Sequence, residues 1–264
     1  MNNIGDKLIP LILEAGNMMT GVDDVESGSV IKEKGGDLAN LVTEYDVSIQ
    51  QYLMDEIKRI LPTACFIAEE KENDSSTLGE EYCFIIDPID GTTNFIHGYR
   101  HSCISLALFS KGRPLFAAVY DPYMKELFSA SAGGGAYLNG TPIRVSTRDS
   151  AHSVVAFGTS PYQKDTLGEK TMQICCKLLK SCRDIRRCGS AALDLAYLAA
   201  GRNDMFFELM LSPWDIAAGY LLIREAGGII TDADGNDVDF SHPSAIIAAN
   251  DVAYDFLLNA VKDI

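Results

Sequence analysis

Apolar residues recur at helical spacing from the start of the chain: Ile4, Leu8, Leu11, Ile12, Ala15, Met18 and Met19. This period of about 3.6 residues predicts an amphipathic helix over 4–20. Pro10 lacks an amide hydrogen, so a kink or a late start is expected there. Residues 21–40 are polar and glycine-rich and read as loop or short strand. Thr43 is a natural N-cap for a helix running to about Ile60, with Val47, Tyr52, Leu53, Ile57 and Ile60 on its inner side and Pro62 as its stop.

Between 64 and 145 the pattern becomes short apolar runs bounded by polar residues or glycine: CFIAE, YCFIID, CISLALF, PLFAAVYD and ELFSAS. These predict strands, with hairpin turns at Gly133–Gly135 and Asn139–Gly140. Such a succession favours a largely antiparallel sheet. The second half alternates. SVVAFGT, DMFFEL, GGIITD and SAIIAA read as strands, while 165–181, the segment capped by Ser190, SPWDIAAGYLLIREAGG and 251–262 read as helices. In SPWDIAAGYLLIREAGG, Ser212 supplies the cap, Pro213 the first helical position and Gly227 the stop. The predicted class is α/β in layers. The change of pattern near 145–152 divides one compact unit into halves 1–148 and 149–264.

Hydrophobic residues fill 47% of the 264 positions, enough for a large core. The net charge of −15 argues against nucleic acid as a partner. It leaves a solvated acidic surface, carboxylates that hold cations, or both. The seven cysteines form no CxxC pair and several sit in apolar runs, which predicts reduced thiols in a cytosolic protein rather than a disulfide framework or a zinc site. MNNIGDKLIP lacks the signal-peptide pattern. No apolar run reaches the roughly 18 residues of a membrane span.

The candidate chemistry lies in IIDPIDGTTNF, residues 85–95. A buried strand would deliver Asp87 to its end, Pro88 fixes φ, and Gly91 permits a tight turn into a short helix from Thr92 and Thr93. A helix start suits phosphate, but Asp87 and Asp90 would repel it unless hard cations intervene. Asp-Pro and Asp-Gly are also ordinary turn signals. Glu69 and Glu70, ending FIAEE, and Asp215, in the first turn of the SPWD helix, change the weighing. Each alone reads as a solvated strand end or a cap; together they favour a shared metal–phosphate site.

Five segments carry a resemblance: LVTEYD (41–46), AEE (68–70), DPIDGTTNFIHG (87–98), RRCGSAALDLAYLAAGR (186–202) and WDIAAGYLLIREAGGIITD (214–232). In this order, across nearly the whole chain, they resemble the inositol monophosphatase family of lithium-sensitive, magnesium-dependent phosphatases. The resemblance implies a layered sandwich of alternating helices and sheets, shared with fructose-1,6-bisphosphatase. It also implies a homodimer and two or three Mg²⁺ per subunit. Glu69, Asp87 and the Ile89 carbonyl would hold one ion; Asp87, Asp90 and Asp215 would hold another. Two ions about 3.5–4 Å apart can clamp both oxygens of an in-line displacement. Thr92, oriented by Asp46, would help activate water with Glu69 nearby. Asp46 also stands where a helix cap would. Gly91 and Thr92 would bind phosphate, and Glu70 would serve a third ion or a supporting role.

For substrate, the resemblance implies Gly189, Ser190 and Ala191 against the ring, with Asp90 and Glu208 on hydroxyls. Relatives acting on nucleotide bisphosphates or histidinol phosphate commonly carry a lysine after the GS pair, where this chain has Asp194. That favours an inositol monophosphate, a small-molecule phosphate monoester. A sugar-phosphate or nucleotide-bisphosphate phosphatase is an alternative, and a fold-retaining binding protein is another. Arg100 departs from the family's usual proline. The family's lysine before LVT matches Lys34 or Lys32, with Lys34 favoured. DADGNDVD (232–239) lacks the glycine and glutamate of a calcium loop and reads as a turn. GGGAYLNG lacks the strand-to-helix setting of a nucleotide loop. His97 and His101 are four apart but sit in a glycine-containing loop without the glutamate of a zinc-protease helix, which argues against zinc, and His97 reads as structural.

Overall fold

The computed structural model describes residues 4–21, 32–33 and 41–262. Helix α1 (Ile4–Thr20) runs through Pro10 without a break or late start. Short strands β1 (Lys32–Glu33) and β2 (Leu41–Val42) pair antiparallel. Lys34 lies outside the described residues. Helix α2 (Glu44–Ile60) begins at the Thr43 cap, and the Thr43 and Asp46 side chains cap each other's backbone.

Seven strands then form one sheet in sequence order: β3 (Cys65–Ala68), β4 (Cys83–Asp90), β5 (Cys103–Ser110), β6 (Arg113–Asp121), β7 (Glu126–Ser131), β8 (Gly135–Leu138) and β9 (Thr141–Ile143). Only β3–β4 is parallel; the other neighbours are antiparallel. The β8–β9 turn places Asn139 and Gly140 at φ 48° and 77°, the positive pair of a tight hairpin. Helix α3 (Thr92–Ile96) follows β4.

The remaining strands are β10 (Val154–Phe157), β11 (Asp184–Arg186), β12 (Met205–Leu211), β13 (Ile229–Asp232) and β14 (Ser244–Ala249). They form a mixed sheet of order β11-β10-β12-β14-β13. Helices α4 (Lys164–Ser181), α5 (Ala191–Ala199), α6 (Pro213–Glu225) and α7 (Tyr254–Lys262) complete the chain. The DADGNDVD segment is a turn, with Asp232 accepting from the backbone of Asp234 and Asn236.

Buried apolar side chains fall into three clusters that define the layers. Leu8 and Ile12 of α1 and Leu53 and Ile57 of α2 cover one face of the seven-stranded sheet. Its other face packs on α5 and α6, which also meet the five-stranded sheet. Helices α4 and α7 cover that sheet's far side. Gly219 in α6 permits close packing of the middle layer, since a Cβ there would stand 2.6 Å from Leu195.

The inner face of α2 departs from the sequence expectation. Val47 is 51% exposed, Tyr52 and Ile60 are only half-buried, and the buried positions are Asp46, Ile49, Gln50, Leu53 and Ile57. Val47 lies about 100° round the helix from Asp46. Two polar residues take inner positions because both are used: the Gln50 carbonyl accepts from the Glu70 amide at 2.8 Å, and Asp46 meets Thr92. Ile57→Ala is expected to cost about 2–5 kcal/mol, while Val47→Ala stays within about 0.5 kcal/mol of wild type, both measured by urea unfolding.

Candidate active site

The register of β4 against β5 answers how two acids three apart reach one place. Asp87 pairs with Ser105 and Asp90 with Cys103, so β4 takes one more residue than β5 over this span. That is a β-bulge at Pro88–Ile89. In a regular strand, residues three apart face opposite sides; the extra residue restores parity, and both carboxylates emerge toward the middle helical layer. A second bulge lies in β12, where Glu208 pairs with Ile246 and Leu211 with Ser244. It falls just before Ser212, the cap of α6.

Asp87, Asp90 and Asp215 each bring a carboxylate oxygen within 4.8 Å of the others. They line a cavity of about 310 Å³ together with Glu69, Ile89, Gly91 and Thr92. Gly189, Ser190, Ala191 and Glu208 line it too. Glu70 is not among the lining residues. Each acid is anchored. The Ile89 amide donates to Asp87 Oδ1 at 3.0 Å. The Ala192 amide donates to Asp90 Oδ2 at 2.7 Å, and the Ser190 hydroxyl donates to the same oxygen. The Ser212 amide donates to Asp215 Oδ2 at 2.7 Å. The Glu69 amide extends the β3–β4 pairing by donating to the Ile86 carbonyl.

Asp46 stands behind Thr92 and does two things at once. Its Oδ2 accepts from the Thr43 amide at 2.7 Å, which caps α2. Its Oδ1 accepts from the Thr92 hydroxyl at 3.2 Å. Thr92 Oγ1 also lies 3.1 Å from the Ile89 carbonyl. Gly91, at φ 90°, packs its α-carbon where a Cβ would meet the Gly189 carbonyl at 3.1 Å, so the turn into α3 and the loop before α5 approach through two glycines. Gly158 is equally constrained, because a Cβ would fall 1.8 Å from the Glu208 carboxylate.

Burial raises the pKa of Asp87 well above the usual carboxylate range, and the charges of Glu69, Asp90 and Asp215 push it further. Burial also raises Asp215, followed by the Asp90 and Glu69 charges. Burial raises Asp90 as well, opposed by the bonds from Ser190 and Ala192. Glu208 is pushed up to about 7, mainly by burial and against the Ser160 amide that donates to it. The donor set is all oxygen, which fits a hard cation such as Mg²⁺, and positive charge there would offset the repulsion.

The inositol monophosphatase family model matches residues 7–264. The chain belongs to the inositol monophosphatase family. The Nus factor SuhB of Escherichia coli (strain K12) is 40% identical over 251 residues, covering 95% of this chain and 92% of that protein. The extragenic suppressor protein suhB from Bartonella henselae matches with a TM-score of 0.90 and 33% identity over 98% of each chain. The Thermotoga maritima IMPase matches with a TM-score of 0.86 and 33% identity, over 100% of this chain and 98% of that one. The layered fold and the family membership expected from the five motifs are thus found. Among the described residues, no helix is long and apolar enough to cross a membrane.

Several lining residues escape the motifs: Gly158, Ser160, Tyr162 and Met210. The turn after β10 that carries Ser160 and Tyr162 has no patterned signal. Only the positive φ of Ser160, 43°, marks it as special.

The buried acids set a pH dependence. Asp87 and Asp215 hold protons more tightly in the folded state, so the folded metal-free protein binds more protons than the unfolded chain. The stability these two groups contribute is fully present below about pH 4, the ordinary Asp value, and is lost as pH rises toward the elevated folded values. In chelator, this contribution to the melting temperature is expected to fall as pH rises above about 4, and saturating Mg²⁺ should flatten that slope. Scanning calorimetry across this range checks both outcomes.

Proposed function

We propose that the chain is a Mg²⁺-dependent phosphomonoesterase that hydrolyses an inositol monophosphate, of the myo-inositol 1-phosphate type, to inositol and phosphate. The observation that carries this reading is the convergence of Asp87, Asp90 and Asp215 within 4.8 Å of one another, on a cavity also lined by Glu69, Thr92 and Glu208. Glu69, Asp87, the Ile89 carbonyl, Asp90 and Asp215 would hold the ions, which when bound neutralise phosphate charge and acidify a water molecule.

The chain's own groups supply orientation and proton handling. With its single hydrogen directed to Asp46 or the Ile89 carbonyl, Thr92 Oγ1 keeps lone pairs for a hydrogen bond from the attacking water. Glu69 is the nearby carboxylate that can take a proton. The first turn of α3 has no side-chain cap, so its leading amides, with Gly91, suit phosphate oxygens. Glu208, at about 7, can donate to or accept from a polyol hydroxyl near neutrality. The family membership and the IMPase name of the Thermotoga maritima relative support this substrate class. A homodimer is proposed on the same family grounds. The name of the Escherichia coli relative, Nus factor, supports a second reading: a binding role exercised by another surface of the same fold.

Phosphate release from a panel of inositol, sugar and nucleotide phosphates, with and without Mg²⁺, separates the readings. Mg²⁺-dependent release led by an inositol monophosphate is expected. Release from no substrate would leave the binding role. Asp90→Asn is expected to abolish turnover while circular dichroism stays unchanged, and Thr92→Ala to lower kcat by about 10²–10⁴-fold. Glu208→Ala should raise KM for the inositol substrate and leave the Mg²⁺ dependence alone; the opposite pattern would remove Glu208 from substrate recognition.

A further inference from the structure

A second group of metal-type ligands flanks the loop that carries Ser190, and one member, Asp194, also lines the acidic cavity. His101 precedes β5, Cys188 sits between β11 and α5, and Asp194 is in the first turn of α5. Each offers a ligand atom within 4.8 Å of the other two. Two of these side chains have buried polar atoms without a hydrogen-bond partner, His101 Nε2 and Asp194 Oδ1. Asp194 is 1% exposed. The Cys188 thiol already bonds to the Asp194 carboxylate, but Asp194 Oδ1 and His101 Nε2 stay unmatched, and a buried polar atom left unmatched is costly.

The frame around these side chains is fixed. The Asn94 amide donates to the carbonyls of both His101, at 2.7 Å, and Cys188, at 2.8 Å, tying the two ligand-bearing segments together. The His101 ring rests edge-on to Tyr197, one turn along α5 from Asp194. The donor set differs from that of the acidic centre. Imidazole nitrogen, thiolate sulfur and carboxylate oxygen suit a borderline-soft ion, whereas Mg²⁺ takes oxygen alone. Arg187 is the nearby cation, and its guanidinium donates to the Thr159 hydroxyl at 3.0 Å. The Asp90 and Glu208 charges also bear on Asp194.

We propose that His101, Cys188 and Asp194 form a metal centre for a divalent cation of the Zn²⁺ class, distinct from the site of Asp87, Asp90 and Asp215. Three protein ligands leave the fourth tetrahedral position open. Zn²⁺ bond lengths of about 2.0–2.3 Å require the three ligand atoms to close in by about 1 Å, a side-chain adjustment. The Cys188 thiol gives up its proton on binding. Because Cys188 is followed by Gly189 and Ser190, the ion would brace the loop whose Ser190 hydroxyl holds Asp90. This inference is independent of the substrate proposed above.

The test uses the full chain in excess Mg²⁺, equilibrated with Zn²⁺, with bound zinc measured by atomic emission after dialysis. Wild type and D215N are expected to retain one equivalent. C188S and H101Q should each weaken binding by at least about 100-fold, more than the loss of a supporting contact does. Co²⁺ in place of Zn²⁺ should give a thiolate charge-transfer band that C188S abolishes, and circular dichroism reports whether each variant is folded. Zinc kept by C188S and H101Q but lost in D215N would place the ion in the acidic centre and overturn the proposal. Zinc retained by none of the proteins would also overturn it, leaving a buried water as the bridge between His101 and Asp194.

Discussion

Mutual repulsion among buried carboxylates is the constraint on which this structure turns. Asp87, Asp90 and Asp215 are drawn together beside Glu69, in a cavity whose basic lining residue among those described, Arg187, bears on Glu208 and Asp194. Left ionised and unmatched, such a group would be strongly destabilising. The protein lowers that cost in two ways. A backbone amide holds each of Asp87, Asp90 and Asp215, the Ser190 hydroxyl also holds Asp90, and elevated proton affinity lets part of the charge be discharged. On the proposed function, hard cations would offset the remainder, and the arrangement that makes the metal-free state costly is the one that would make an oxygen cage.

The rest of the fold serves this convergence. A parallel pair places Glu69 next to Asp87 at adjacent strand ends. One extra residue in β4 turns Asp90 to the same face as Asp87. The α6 helix, packed on that face, delivers Asp215 in its first turn. Helix capping and contact with the cavity share side chains through different oxygens. Asp46 caps α2 with one oxygen and takes the Thr92 hydrogen with the other. Asp215 closes a capping box with Ser212 through one oxygen. For both residues the capping role and the role proposed in the site rest on one side-chain placement.

The parts legible in the sequence were those written in local signals. Thr43, Ser190 and the SPWD start announce helices; the Asn139–Gly140 pair announces a hairpin; the apolar runs announce the large sheet. The acids of DPIDG, AEE and WD could be grouped because each lies at an element's end. Other features depend on register or on distant packing. The bulge in β4 is set by pairing with β5 and has no mark beyond Pro88. Val47 misled because hydrophobicity alone ranks it inward, whereas Asp46 and Gln50 occupy that face to serve Thr92 and Glu70. No local pattern marks His101 as meeting Cys188 and Asp194, which arrive from the other half of the chain.

The central claim is that the metal-free acids share protons that cations displace. Calorimetric titration of the chelated protein with Mg²⁺ near neutral pH, repeated in buffers of different ionisation enthalpy, counts the protons released per ion bound. The account predicts net release, reduced in Asp87→Asn. Mg²⁺ binding with no proton release would contradict it, because the carboxylates would then have been ionised together before any cation arrived.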